Sequence, residues 1–336
     1  MSQKVLNVPY AIDLGNGFTK RKSVGDVIIE PSVIAEISDY FNVEEKYDVF
    51  KLSIGSSYHV GDDVLKSSLT AISALGEDDV ERYESLEFKQ LLLGFIAEDF
   101  KKSVTINQLI TGLPVNHFKA KAAKLEEILK GKTVVTVNGE EIIVDIKNVH
   151  VLPQPLGTYM YMVKEKKINA DEELTLIVDG GHGTIDITEM KGQSILRRAG
   201  APKGVRNAYL EIYNFLVDEY GESRQLSIAE MPSIMKKGLK YDKNLIDVSS
   251  LPEVQAILAK HFEEVFRFIR ENQFDLKSYE NVVFTGGMAL LHKKLIKDKN
   301  RNNFIVLDNS QEANVLGYYE FGKAVLKSEK DSAVRG

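Results

Sequence analysis

Cysteine is absent from all 336 residues, which excludes disulfides, thiol nucleophiles and thiolate metal sites and suits a reducing compartment. Long apolar runs are missing as well, since no uninterrupted stretch approaches the length of a membrane span. The first residues, Met1-Ser2-Gln3-Lys4, lack the apolar segment of a signal peptide, so the expected location is the cytoplasm with no membrane partner. Positive charge is not in excess: a net charge of −6 argues against broad binding to nucleic acid. The densest basic stretch, His292, Lys293, Lys294, Lys297, Lys299 and Arg301, reads more readily as a solvated helix end and turn before a strand at Phe304 to Leu307 than as a binding site. The six histidines show no His-Glu-x-x-His spacing, so zinc is not expected, and Ser and His are too scattered to nominate a triad. Gly131-Lys132-Thr133 imitates the end of a P-loop, but Glu126 stands where the first glycine belongs and a strand follows in place of a helix. Pro-rich or Gly/Ser-rich linkers are lacking too, which leaves the halves of the chain to be joined by packed helices acting as a hinge.

What is present is a repeat. Asp-x-Gly-x-Gly occurs as Asp13-Leu14-Gly15-Asn16-Gly17 and again, 166 residues later, as Asp179-Gly180-Gly181-His182-Gly183. Each copy follows an apolar run, Val8 to Ile12 and Leu174 to Val178, and precedes a second strand candidate, Phe18 to Val24 and Thr184 to Met190. A glycine-rich turn between strands is in most proteins only a turn. Two copies in equivalent contexts point to two phosphate-binding halves, because glycine permits positive φ and close approach of backbone amides to phosphate oxygens. The aspartates would hold the metal that accompanies phosphate.

With 43% hydrophobic and 27% charged residues the chain is an ordinary globular one, long enough for two domains. Strands come in trios, the third members being Val27 to Ile29 and Ser194 to Arg198, and helix candidates follow at Leu86 to Phe100, Phe118 to Leu129 and Asn207 to Tyr220, giving mixed α/β layers. Ser227 and Glu230 form a capping box for a helix toward Lys237, and Pro252 suits the first turn of a helix ending near Asn272. Thr133 to Val137, Asn138-Gly139 and Glu140 to Ile146 read as a hairpin with a type I′ turn, expected at a sheet edge. From Lys327 the chain is polar and expected to fray.

Three more segments carry suitable chemistry. Val149 to Leu152 runs into Pro153-Gln154-Pro155-Leu156-Gly157, presenting at a strand end an amide able to orient a water toward a γ-phosphate, or merely a turn glutamine in solvent. Asn281 to Phe284 leads into Thr285-Gly286-Gly287-Met288-Ala289, where a base or sugar could approach backbone and helix N-terminus. Glu312-Ala313-Asn314-Val315-Leu316-Gly317 opens the last helix with small residues, which suits either a hinge or ordinary packing.

In this order the five segments resemble the actin, Hsp70 and sugar-kinase superfamily over nearly the whole chain. Asp13 to Lys20 is similar to its first phosphate loop, Val151 to Gly157 to the first connecting helix, Asp179 to Asp186 to the second phosphate loop, Thr285 to Ala289 to the adenosine motif and Ala313 to Gly317 to the second connecting helix. The chain looks most like bacterial ParM-type proteins that segregate plasmids; Glu30-Pro31-Ser32, Val60-Gly61-Asp62-Asp63 and Thr111-Gly112-Leu113-Pro114-Val115 are similar to their segments at matching positions.

The resemblance implies an actin-like fold, a duplicated ribonuclease H-like α/β architecture with a nucleotide cleft between two lobes. The lobes would span 1–165, completed by 312–330, and 166–311, with 331–336 a frayed tail. It implies ATP, with GTP possible, and Mg²⁺. Asp13 and Asp179 would contact the hydrated metal; Gly15, Asn16, Gly17, Phe18 and Lys20 would surround the phosphates from one lobe and Gly180, Gly181, His182 and Gly183 from the other. Gln154 would be catalytic, standing where actin has its catalytic glutamine and ParM-type proteins often a glutamate, together with Asp179 and with Asp186, which places the attacking water. His182 departs from the family, which is small or acidic there, so it either touches a phosphate or caps the turn. Lys203, Gly204, Lys236, Gly286, Gly287 and Met288 would line the purine pocket. The implied function is a polymerising ATPase: a head-to-tail filament of the chain itself, coupled to plasmid DNA by a DNA-binding adaptor without direct contact to nucleic acid. The alternative is a small-molecule kinase of the same superfamily with Asp186 as base; an Hsp70-type chaperone fits less well, for want of a peptide-binding domain.

Overall fold

The structure, a computed structural model, describes residues 4–37, 46–67, 69–73, 80–169, 173–221 and 228–335. The chain forms two compact units, one of residues 1–172 with 311–336 and the other of residues 173–310.

The first unit is built on an eleven-stranded sheet among the described residues. At its heart Tyr10–Leu14 pairs antiparallel with Phe18–Lys22 on one side and parallel with Val104–Leu113 on the other. All five residues of Tyr10–Leu14 are buried, because both faces of the sheet are covered. Alternation of side chains along a strand divides the covering. Ile12, Leu109 and Val151 join the large core beneath Leu86–Phe100 and Val115–Leu129, whereas their neighbours Ala11, Ile110 and Leu152 join a separate cluster with Val315 and Tyr318. That second cluster belongs to the helices Gln154–Lys164 and Ala313–Arg335. The two pack backbone to backbone at Gly157 and Gly317: a Cβ on Gly157 would lie 2.6 Å from the Asn314 carbonyl oxygen, and one on Gly317 would run into the carbonyl of Gly157. Thr158 donates to the Asn314 Oδ1 from both its backbone N–H, at 3.1 Å, and its hydroxyl, at 2.7 Å.

Leu86–Phe100 occupies the range its pattern predicts, opened by Ser85, whose hydroxyl accepts from the Phe88 N–H at 3.1 Å. The hairpin turn is as expected, with Asn138 at φ 52° and Gly139 at φ 86°. Its place differs. Gly131–Val137 lies inside the sheet because Phe50–Leu52 pairs with its outer side, and the return strand is one 14-residue strand, Glu140–Pro153, that carries the chain straight to Gln154. The last helix also continues past Lys327 to Arg335, its Lys, Glu and Ala residues being good helix formers.

The second unit repeats the first in small. Its sheet runs Ser194–Ala201, Ile185–Lys191, Leu174–Gly180, Asn281–Thr285, Phe304–Val306, the first three antiparallel and the last three parallel. The first unit has the same succession in Ile28–Pro31, Phe18–Lys22, Tyr10–Leu14, Val104–Leu113 and Glu140–Pro153. Helices Arg206–Tyr220, Met231–Lys237 and Pro252–Glu271 pack on it around Ile212, Leu258 and Phe266. Pro252 stands in the first turn as expected. The capping box expected at Ser227 lies outside the described residues.

Candidate functional site

In the first unit the hairpin register sets Asp13 directly across from Lys20. Asp13 is nearly fully buried, and each of its carboxylate oxygens is engaged: Lys20 Nζ donates to one at 3.2 Å and Gln154 Nε2 to the other at 3.3 Å. Gln154 arrives there because the strand Glu140–Pro153, two places away from Tyr10–Leu14 in the sheet, ends one residue before it, and the helix Gln154–Lys164, with Pro155 in its first turn, begins at once. The turn Gly15-Asn16-Gly17 is held from behind. Ser32 Oγ donates to the Gly15 carbonyl at 2.6 Å, the Ser32 N–H to the Gly17 carbonyl at 3.1 Å, and Thr19 Oγ1 shares a hydrogen bond with Ser32 Oγ at 2.9 Å. A Cβ on Gly15 would come within 2.9 Å of the Phe18 carbonyl oxygen and 3.1 Å of Lys20 Nζ, so glycine is required for the turn to close over the lysine.

One residue of this arrangement has no distinctive sequence signal. Arg82, buried in a short 3-10 turn at Val80–Glu84, donates to Asn16 Oδ1 at 2.7 Å and to Tyr83 Oη at 2.9 Å, and Tyr83 Oη shares a 2.9 Å hydrogen bond with His117 Nδ1. In sequence it is one charge in the polar run Glu81, Arg82, Glu84, no different from a solvated turn.

The second unit builds the same hairpin with a different pairing. Asp179 lies across from Asp186 and, on its other side, next to Thr285. Thr184 Oγ1 donates to Asp186 Oδ2 at 3.3 Å. The turn Gly181-His182-Gly183 is bound to the segment that follows the third strand: the N–H groups of Gly204, Val205 and Arg206 donate to the carbonyls of Gly183, Gly181 and His182 at 3.1, 3.1 and 2.8 Å. Gly286, at φ 77°, turns against the same loop, where a Cβ would lie 2.6 Å from Asp179 Oδ1; the side chain of Met288 occupies the space a Cβ on Gly180 would need. Gly204, Gly286 and Met288 are thus brought onto the second loop, with Gly287 between them in the helix Gly286–Leu291. Lys203 instead directs its ammonium over the Phe268 ring, 5.5 Å from the centroid, and Lys236 sits exposed in the last turn of Met231–Lys237. His182 is half-buried, and burial, with the neighbouring Arg206 charge second, holds its imidazole below the usual histidine pKa, so the ring is neutral at pH 7.

Among the described residues no group of three or more His, Cys, Asp or Glu could hold a metal ion. A lone carboxylate such as Asp13 suits a Mg²⁺ that keeps most of its waters and is carried by phosphates.

Residues 11–157 match the family described as the N-terminal domain of actin-like proteins. The whole chain has the actin-like fold. Solved structures similar to it include apo pSK41 ParM (23% identity, TM-score 0.73, covering 97% of this chain and 99% of that one). Another is the archaeal actin homologue Ta0583 in complex with ADP (18%, TM-score 0.73, 94% and 99%). A third is a 15-stranded ParM filament from Clostridium botulinum (19%, TM-score 0.72, 96% and 100%). No curated protein matches the chain in sequence. No helix among the described residues is long and apolar enough to cross a membrane.

Proposed function

We propose that the chain binds and hydrolyses ATP with Mg²⁺ and polymerises head to tail to move plasmid DNA through a separate basic adaptor. The observation that carries this reading is the doubled hairpin, Asp13 across from Lys20 and Asp179 across from Asp186, with Gln154 delivered onto Asp13. Fold kinship with a ParM seen in a filament and with an actin homologue seen with ADP supports it.

In this reading the turns Gly15–Gly17 and Gly181–Gly183 receive phosphate oxygens and Lys20 balances their charge. Mg²⁺, when bound, would supply positive charge against that which develops on the γ-phosphoryl group. Asp13 and Asp179 would hold its waters. Gln154, uncharged and so no strong base, orients the attacking water, helped by Asp186. Hydrolysis then weakens the polymer; an open heterologous contact repeats without limit and needs no closed symmetry.

High-speed pelleting with and without Mg-ATP tests the reading. A critical concentration, scattering that decays as ATP is consumed, and scattering that persists with a non-hydrolysable analogue are expected. Dispersed particles in negative stain with both Mg-ATP and Mg-GTP, together with phosphate transfer to a sugar or small acid, would overturn it in favour of a kinase.

A further inference from the structure

Two buried histidines outside the loops form a continuous hydrogen-bonded path to the second phosphate loop. His261, on the helix Pro252–Glu271, is 6% exposed, and His292, directly after the helix Gly286–Leu291, is fully buried. His261 Nε2 lies 3.2 Å from the Gly204 carbonyl oxygen, and His261 Nδ1 lies 2.8 Å from His292 Nε2. Gly204 in turn donates its N–H to the Gly183 carbonyl at 3.1 Å, and the His292 N–H donates to the Met288 carbonyl at 2.9 Å. Met288 returns to the loop, since its side chain lies against Gly180. The path therefore closes on itself: loop, Gly204, His261, His292, Met288, loop.

Donor and acceptor bookkeeping determines both tautomers. A carbonyl oxygen can only accept, so His261 carries its proton on Nε2 and offers Nδ1 as an acceptor. His292 must then donate from Nε2, which leaves its Nδ1 bare, and this atom is buried with no hydrogen-bond partner. A second proton on His261 would place a donor against the His292 Nε2–H and break the link. The surroundings oppose that proton. Burial, with the neighbouring His261 second, drives His292 down to about 3, and burial also lowers His261 against the opposing pull of the Gly204 and Lys203 carbonyls and of Glu264 and Glu211. Phe262 packs on His292 at 5.4 Å between ring centroids, and the Lys299 ammonium stands over the same phenylalanine ring.

We infer that the neutral His261–His292 pair is a positioning device for the purine nucleotide, setting the spacing between the Lys203-Gly204 turn and the helix Gly286–Leu291. The inference rests on the nucleotide reading above. The pair acts on binding through Gly204 and Met288 and leaves the hydrolytic step alone.

The test uses the full chain with His292→Phe, which fills the space without a donor, and His292→Gln, whose side-chain N–H can stand in for Nε2–H. Mg-ATP hydrolysis and binding of a fluorescent ATP analogue are measured beside thermal unfolding. His292→Phe should raise the KM for ATP about tenfold with kcat within about twofold, the loss expected for one buried hydrogen bond; His292→Gln should recover most of it. An unchanged KM in His292→Phe overturns the inference, and so does an equal KM rise in both variants that tracks their loss of melting temperature, which would mark a purely structural role. Should His292→Phe fail to fold, ¹⁵N NMR of the wild-type imidazoles decides: both rings should carry Nε2–H, and their signals should shift with Mg-ADP. A protonated Nδ1 in either ring, or signals indifferent to Mg-ADP, also overturns it. A wild-type protein that binds no nucleotide removes the functional reading itself, and this inference with it; one that binds ATP while His292→Phe binds it equally well removes the inference alone.

Discussion

Lys20 and Asp186 are counterparts in two copies of one hairpin: each lies directly across the ladder from the aspartate that opens its turn, Lys20 from Asp13 and Asp186 from Asp179. The same backbone position is cationic in one unit and anionic in the other. Asp13 is therefore already partnered by an ammonium 3.2 Å away, whereas Asp179 faces a second carboxylate across the strands.

On the proposed reading Asp179→Ala is expected to reduce steady-state Mg-ATP hydrolysis at least ~100-fold, since it would remove one of the two carboxylates proposed to hold the metal's waters. Asp13→Ala should behave alike. Phosphate release close to wild type in Asp179→Ala would remove that residue from the site.

If Gln154 has the proposed role, Gln154→Ala should lower kcat by about 10²-fold while changing ATP affinity by less than about threefold, because the amide would then act on the water and not on the bound nucleotide. Polymers of this variant should outlast wild-type ones in light scattering. A fall in affinity proportional to the fall in rate would make Gln154 a binding residue instead.

Arg82→Met should weaken ATP binding about tenfold with little change in kcat, since it removes the charged donor that holds Asn16 at 2.7 Å. Isothermal titration with a non-hydrolysable analogue reads this directly. Wild-type affinity would show that the turn holds its shape through Ser32 alone.

Gly317→Ala inserts a methyl against the Gly157 backbone and should cost roughly 1–3 kcal/mol of stability, seen as a lower melting temperature. An unchanged melting temperature would mean that the two helices separate freely enough to admit it.

Glu98 provides a pH test. Arg21 is surrounded by Glu30, Glu98 and Asp99, with contacts of 2.6, 2.7 and 3.0 Å, more carboxylates than one guanidinium can balance. Burial, only partly countered by Arg21, pushes the Glu98 carboxyl up to about 8. Its folded pKa lies above the unfolded value, so the stability it contributes is fully present at acid pH and is lost as pH rises toward 8. Glu98→Gln should therefore gain melting temperature relative to wild type between pH 5 and 8, as scanning calorimetry would show, about evenly per unit of pH. A difference independent of pH would place Glu98 outside that titration.

Much of this molecule is local. The Asp-x-Gly-x-Gly turns, the strands on either side of them, the helix Leu86–Phe100 and the Asn138-Gly139 turn are legible because glycine at a turn, a side-chain period of two and an N-cap serine act within a few residues. The repeat also announced the duplication, since equal local patterns build equal hairpins. What lies far apart in the chain was decided by sheet pairing and by packing. Only the ladder order carries Gln154 to Asp13 across 141 positions and moves the Gly131–Val137 strand from the expected edge to the interior. Arg82 reaches Asn16, and His292 reaches Gly204 through His261, by packing that leaves no periodic mark, for a buried polar contact is specified by where two elements meet and not by the residues on either side of it.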